Sequence, residues 1–289
     1  MTSSPHTWLV AVAALLGFFV VRTVVLVGGA TLALRTAWAG FRRVYRVPFA
    51  KGQWASEFKA AVTVILFDAL VVGTALSLEV WTFAPVTPAA TAWTWAVMFV
   101  WYEVWFYAVH RALHTRALYR FHAQHHVAKV TGPLTSLSFG LIERAVLLLG
   151  AVGASAALSR VMPISPAGVM AYFFSNYVLN IWGHANVEVL PEGFPRTWWG
   201  RLFISTSFHA MHHARYQGHY GLFTQVLDRL FGTYWDDYPE VHARAARGEG
   251  LTRLGERAKG RDAAARPSRT DTTPGAVRLE EAIRARHDG

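Results

Sequence analysis

Five apolar runs dominate this chain: residues 8–34, 60–83, 89–109, 134–158 and 167–183. A helix of about 20 apolar residues crosses the hydrocarbon core of a bilayer. The expected fold class is therefore all-α, a polytopic membrane helical bundle of about four to five spans or re-entrant helices. Composition agrees, since the chain is 53% hydrophobic and 16% charged, whereas a soluble domain carries about 25% charged residues. The chain has no cysteine, which excludes disulfides, iron–sulfur clusters and thiolate metal sites within it.

The net charge of +10 would suit nucleic acid, but the cations are interleaved with the apolar runs. Positive loops and anionic lipid account for them better, and no nucleic-acid partner is expected. The first run is broken only by Arg22 and a few small residues. No Lys or Arg precedes it, while Arg35, Arg42, Arg43, Arg46, Lys51 and Lys59 follow. A secretory signal has the opposite order and a shorter apolar region. A retained first span is expected, with Met1 outside and its far end in the cytoplasm. Residues 36–57 interleave Trp38, Phe41, Tyr45, Phe49 and Trp54 with those cations, which suits the headgroup layer. Asp68 and Glu79 interrupt the second run and should face protein rather than lipid. The turn at 84–88 is then outside, and the third run returns inward to His110. Pro163 and Pro166 separate the last two runs, where Glu143 and Arg144 permit a tilted or incomplete crossing. Residues 191–207, with Trp198, Trp199, Arg196 and Arg201, suit the headgroup level. Two regions result: an embedded domain over 1–241, and a basic, flexible tail over 242–289 that is too poor in large apolar residues to bury a core.

Nine of the 13 histidines fall between His110 and His213. His110 and His114 are four apart; His122, His125 and His126 repeat offsets of three and four, and so do His209, His212 and His213. Asn180 and His184 are again four apart. On a helix such offsets share one face. Neutral imidazole is the commonest metal ligand, and crowding many together makes sense when metal replaces the protons. Haem takes one axial ligand from each side and leaves both triples unexplained. A closed zinc site takes about four ligands, so this many histidines imply two metals. Adjacent imidazoles within a triple diverge and should serve different metals. His6, His242 and His287 stand outside the pattern and are expected to be dispensable.

At these residues the chain resembles the integral-membrane fatty acid hydroxylase/sterol desaturase superfamily. The matching pieces are His110-Arg111-x-x-His114, His122-x-x-His125-His126, His184-Ala-Asn-Val, Phe208-His209-x-x-His212-His213, His219-Tyr-Gly and Asp228-Arg-Leu-Phe-Gly-Thr233. They span about residues 95–235 in motif order. The resemblance implies a non-haem di-iron site that activates dioxygen against a lipid C–H bond, in hydroxylation or desaturation of a fatty acyl chain or sterol. Hydrogen abstraction of that kind needs a metal that changes oxidation state, which favours iron over zinc, although zinc can replace iron on purification. With no flavin, haem or iron–sulfur motif, electrons are expected from a separate donor of cytochrome or ferredoxin type at the cytoplasmic face. The sequence departs from the family's pattern at Glu103, where Asp is usual, at Tyr107-Ala108, where Tyr-Trp is frequent, and at His219-Tyr-Gly, where Asn-Tyr-Gly is frequent.

Three further residues are candidates. Glu103, two helical turns before His110, either orients a ligand histidine or packs the third run. Asn180 is a weak or water-mediated ligand or an ordinary helix amide. His219 is a ligand, a donor to one, or a surface residue. Two other functions stay open: a zinc-dependent membrane hydrolase, indifferent to oxygen, and a non-catalytic metal- or haem-binding membrane protein.

Overall fold

The computed structural model describes residues 5–258. Among them the structure is helical, with isolated bridges in place of strands. The long helices are α1, Pro5–Ala33; α2, Gln53–Ser77; α3, Pro88–Leu113; α4, Leu141–Leu158; and α5, Pro166–Gly183. Two shorter helices, α6 at Thr206–Arg215 and α7 at Tyr238–Ala246, follow. Pro at the first turn starts α1, α3 and α5, where its missing N–H costs nothing, and Thr87 caps α3 by accepting from Ala90 N at 3.1 Å.

Three of these helices, α1, α2 and α4, are long and apolar enough to cross a membrane. The sequence suggested four to five spans. α3 and α5 reach the length, but their Trp, Tyr and Asn residues make them less apolar. The second run also stops earlier than expected, at Ser77, and Glu79 lies beyond it in a turn with φ 50°. The fourth run opens as a buried 3-10 turn over Pro133–Leu137, and its helix begins only after Gly140.

α1 packs closely on α2 because Gly73 leaves room: a Cβ there would lie 2.7 Å from Val12. Trp8 donates to Thr74 Oγ1 at 3.0 Å on the same seam, so the two helices run in opposite directions. Arg22, the lone cation of α1, places its guanidinium 3.7 Å from the Tyr177 ring, and so is covered by an aromatic face rather than by lipid. α4 carries a π turn over Leu149–Gly153. Trp101 and Trp105 of α3 donate to the carbonyls of Gly150 and Val146, at 2.8 and 3.2 Å. These bonds satisfy backbone at an irregular point of the helix. Exposed Leu9, Phe18, Val21, Val24, Val25 and Leu66 give α1 and α2 an apolar outer face suited to lipid.

Asp68 faces protein, as its position demanded. Both its oxygens accept from Arg144 of α4, at 2.8 and 2.5 Å, with the carboxylate side chain 6% exposed. Removing one partner of such a pair strands the other charge. Asp68→Leu is expected to lose about 3–5 kcal/mol of stability. Denaturant unfolding in detergent micelles checks it, and adding Arg144→Leu should restore most of the loss.

A second apolar cluster lies under α6 and α7. It joins Val44, Tyr45, Phe208, Met211, Tyr238 and Leu251. Residues 242–258, expected in the tail, are packed here: Leu251 is fully buried and bridges to Tyr45, and α7 buries Ala243, Ala245 and Ala246. The folded unit runs through Ala258. The remainder of the expected tail, residues 259–289, lies outside the described residues, and His287 with it.

Candidate metal centre

Four segments bring the nine histidines together. His110 lies in the last turn of α3 and His114 caps it. His184 caps α5, and α6 carries His209, His212 and His213. His122, His125 and His126 do not share a continuous helix: a helical turn ends at His122 and a separate 3-10 turn holds His125–Val127. All nine side chains are at least 96% buried.

Outward hydrogen bonds fix six of the rings. Nδ1 donates to the carbonyl of Tyr220 from His110 (2.9 Å), of Ser138 from His125 (3.2 Å), of Asn180 from His184 (2.7 Å), of Gly218 from His212 (2.7 Å) and of Ala128 from His213 (2.8 Å). His122 Nδ1 is 2.6 Å from Glu143 Oε1. A carbonyl only accepts, so Nδ1 carries the proton and Nε2 keeps its lone pair. Burial, reinforced by neighbouring imidazoles, holds His122, His125, His126, His209, His212 and His213 well below the ordinary imidazole range, and burial lowers His184 to about 4. Neutral rings with inward lone pairs result.

The rings form two groups. His110, His114, His122, His126 and His212 make one; His125, His184, His209 and His213 make the other. Within each group the ligand atoms all lie within 4.8 Å of one another. The adjacent pairs His125–His126 and His212–His213 are each split between groups. His126 and His213 sit side by side with ring centroids 4.6 Å apart, so the groups adjoin. Several Nε2 atoms face one another: His184 and His209 at 2.9 Å, His126 and His212 at 3.1 Å, His209 and His213 at 3.2 Å. His110 Nε2 and His122 Nε2 are buried with no partner. Converging lone pairs, with too few protons to join them, are costly in a dry site unless a cation replaces the protons. The donor set therefore fits two metal ions, one per group.

Residues 95–233 match the family model for fatty acid hydroxylase. That match covers just under half of the chain. Curated relatives include the very-long-chain aldehyde decarbonylases GL1-6 of Oryza sativa subsp. indica and CER1 of Arabidopsis thaliana. The first is 34% identical over 155 residues, 50% of this chain and 24% of that protein. The second is 32% identical over 137 residues, 45% of this chain and 21% of that protein. The rice protein GL1-4 is 31% identical over 178 residues, 59% of this chain and 27% of its own length. The chain thus aligns with about a quarter of the curated relatives it matches. No solved structure matches it. Three helices long and apolar enough to cross a membrane, together with this match, support an integral membrane protein.

Other residues singled out in the sequence have surroundings that differ from those expected. Glu103 has no histidine partner. Its oxygens accept from Phe223 N and Thr224 N at 3.0 and 2.9 Å and from Thr224 Oγ1 at 2.7 Å. The spacing from His110 put it on the right face of α3, but the neighbour at that level is the 223–224 turn. This turn follows Tyr220, so Glu103 supports His110 only through the chain. His219 is no candidate ligand: Nδ1 donates to Phe208 O at 3.0 Å and Nε2 accepts from Trp235 N at 2.9 Å, which uses both nitrogens. It stacks on Phe208 at 3.6 Å between ring centroids. Asn180 offers its main-chain carbonyl to His184, while its side-chain oxygen is buried without a partner. His242, expected to be dispensable, is fully buried, with Nδ1 3.0 Å from Glu188 Oε2 and Nε2 donating to Pro191 O at 2.9 Å. Glu188 also accepts from Ser205 and Ser207, so this network pins the loop after His184 to the start of α6.

Glu143 is the residue that sequence reasoning missed. It is the one carboxylate bonded to a histidine of either group among the described residues. Its signal was an acid inside an apolar run, which reads equally as a tilted span.

Gly221 completes the support of His110. A Cβ there would stand 2.1 Å from Thr224 O and 2.8 Å from Asp228 Oδ2, the oxygen that holds Gly221 N at 2.7 Å. Gly221→Ala is therefore expected to break the turn that presents the Tyr220 carbonyl. Lower metal content per folded chain would report it; unchanged content would mean that the turn relaxes around the methyl.

Proposed function

We propose that this chain is a membrane-bound, non-haem di-iron enzyme that oxidises a lipid with dioxygen. The observation that carries this reading is the pair of buried imidazole groups with inward Nε2 atoms. Iron bound there would supply the activation of dioxygen that an unactivated C–H bond requires. The chain's own residues do the rest. Five main-chain carbonyls and Glu143 hold six imidazoles in the ligating tautomer. In its ionised form Glu143 makes His122 the stronger donor. Phe139, stacked on His125 at 4.6 Å between ring centroids, and Phe106, 5.0 Å from His110, shield the site from water. Haem suits this arrangement poorly, because neighbouring rings within each group approach to 4.4 Å and leave no slot for a macrocycle.

The proposed substrate is a membrane lipid, a fatty acyl chain or a sterol, and the proposed product an alcohol or an alkene. Identity to the aldehyde decarbonylases favours a second reading, removal of the carbonyl carbon from a long-chain aldehyde. The proposed electron donor is of cytochrome or ferredoxin type, and the cations from Arg35 to Lys59 support a cytoplasmic position for the site. Lipid mass spectrometry of cells with and without the gene tests the reaction. One added oxygen or two lost hydrogens supports the first reading, and a hydrocarbon one carbon shorter than its aldehyde supports the second. A purified enzyme that turns over lipid equally without oxygen and reductant would be a hydrolase of the zinc type.

A further inference from the structure

A cavity of about 240 Å³ opens between the end of α1, the start of α2 and the loop after His184. Arg35, Arg43, Trp54, Glu57, Thr131 and Ala185 are among its lining residues. We propose that it binds the anionic head group, carboxylate or phosphate, of a lipid whose acyl chain extends into the bilayer.

Three observations point to an anionic oxygen ligand. Arg35 and Arg43 line it as exposed side chains whose guanidiniums have no acceptor among the described residues, unlike Arg42, which donates to the carbonyls of Glu188 and Leu190 at 2.5 Å. Thr131 is 1% exposed, and its hydroxyl is buried without a partner in the cavity wall. The third is position: the cavity lies where apolar α1 gives way to cations and exposed aromatics, including Trp38 and Trp54, as a headgroup layer requires. Glu57 closes the inner wall, with Oε1 accepting from Gln53 Nε2 at 3.0 Å and Thr135 Oγ1 at 2.7 Å. Two guanidiniums against one carboxylate leave the lining positive whichever state Glu57 takes. Apolar walls of Leu34, Pro133 and Leu134 strengthen that field and accept the first carbons of a chain.

The walls are fixed. Arg43 bridges to Val187, and Asn186 exchanges two bonds with the Tyr45 backbone, both at 2.9 Å. They are also continuous with the metal centre. Ala185 follows His184, and the segment leading to Thr131 includes Ala128, whose carbonyl holds His213. A head group seated here would bring the polar end of its lipid beside the group of His125, His184, His209 and His213. This deepens the reading of a lipid-modifying enzyme and rests on it for the ligand's role, but the test reads binding rather than turnover, so either can fail alone.

Radiolabelled oleate is titrated against the full chain in nonionic detergent, with oleyl alcohol as the uncharged probe and dioleoyl phosphatidylglycerol as the phosphate-bearing competitor. Saturable oleate binding is expected, tighter than that of oleyl alcohol. Arg35→Gln with Arg43→Gln should weaken it at least about 10-fold. Thr131→Val, which keeps the shape, should weaken it less, and Lys51→Gln, outside the cavity at the same level, should leave it unchanged. Weak competition by phosphatidylglycerol assigns the site to a free acyl carboxylate; strong competition assigns it to a resident phospholipid. Equal binding by the wild type and the double arginine variant, equal loss in Lys51→Gln, or oleyl alcohol binding as tightly as oleate would overturn the proposal.

Discussion

Glu143→Gln is expected to lower iron affinity and turnover by about 10–100-fold. The wild-type carboxylate stands 2.6 Å from His122 Nδ1, with both side chains 2% exposed. In its ionised form it raises the basicity of Nε2, the atom turned toward His110, His114, His126 and His212. Gln keeps the volume and an accepting oxygen, so the ring stays in place while the charge is lost. Glu143→Leu should be worse, because it also strands the Nδ1 proton without an acceptor. The useful contrast is Glu103→Gln. That residue holds the 223–224 turn, and turning an amide toward two main-chain N–H groups costs about 1–3 kcal/mol of stability. Its iron per folded molecule should stay near the wild-type value. Chelator competition with turnover per mole of folded protein separates the two. Wild-type iron affinity in Glu143→Gln would mean that the carboxylate only packs α4 against the 119–122 turn.

Ligand removal should act group by group. His212→Ala opens the group that includes His110, whereas His125→Ala opens the group that includes His184. Either variant is expected to lose more than about 100-fold in turnover, since removing a ligand must cost more than removing its hydrogen-bond partner. Their residual metal should differ in place: each keeps the ion of the intact group. The double variant should keep neither. His242→Ala is expected to lower thermal stability without that loss of metal, because its partners Glu188 and Pro191 O belong to a structural loop. Full activity in either ligand variant would remove the basis for a two-metal site, and equal loss of both ions in each single variant would mean that the groups load as one.

Much of this site could be read in the sequence because imidazoles at helical offsets are conspicuous and cysteines are absent. The split of His125 from His126 and of His212 from His213 was expected too, because adjacent imidazoles diverge. Which of the other rings join each member could not be read: it depends on how the turn at 123–124 orients the following 3-10 segment, and no spacing rule contains that angle. The locking groups were equally hidden: the carbonyls of Tyr220, Gly218, Ser138 and Ala128 belong to the main chain, whose acceptors every residue carries. Glu143 lies 21 residues from His122 inside an apolar run, so membrane logic claimed it first. Glu103 misled for the opposite reason, since periodicity gives a face of α3 but not the neighbour on that face. The apolar runs announced the helices, yet Gly140 delays α4, and the tail's Ala- and Arg-rich composition concealed the second half of α7, which buries Ala243, Ala245 and Ala246 behind Tyr238 and Val241.

The most direct measurement is the number of irons bound per folded chain after anaerobic reconstitution with Fe(II), by elemental analysis of the full-length protein. Two converging groups of neutral imidazoles predict two per chain, falling to one in His212→Ala or His125→Ala. One iron or none in the wild type, with folding verified, would contradict the two-metal centre.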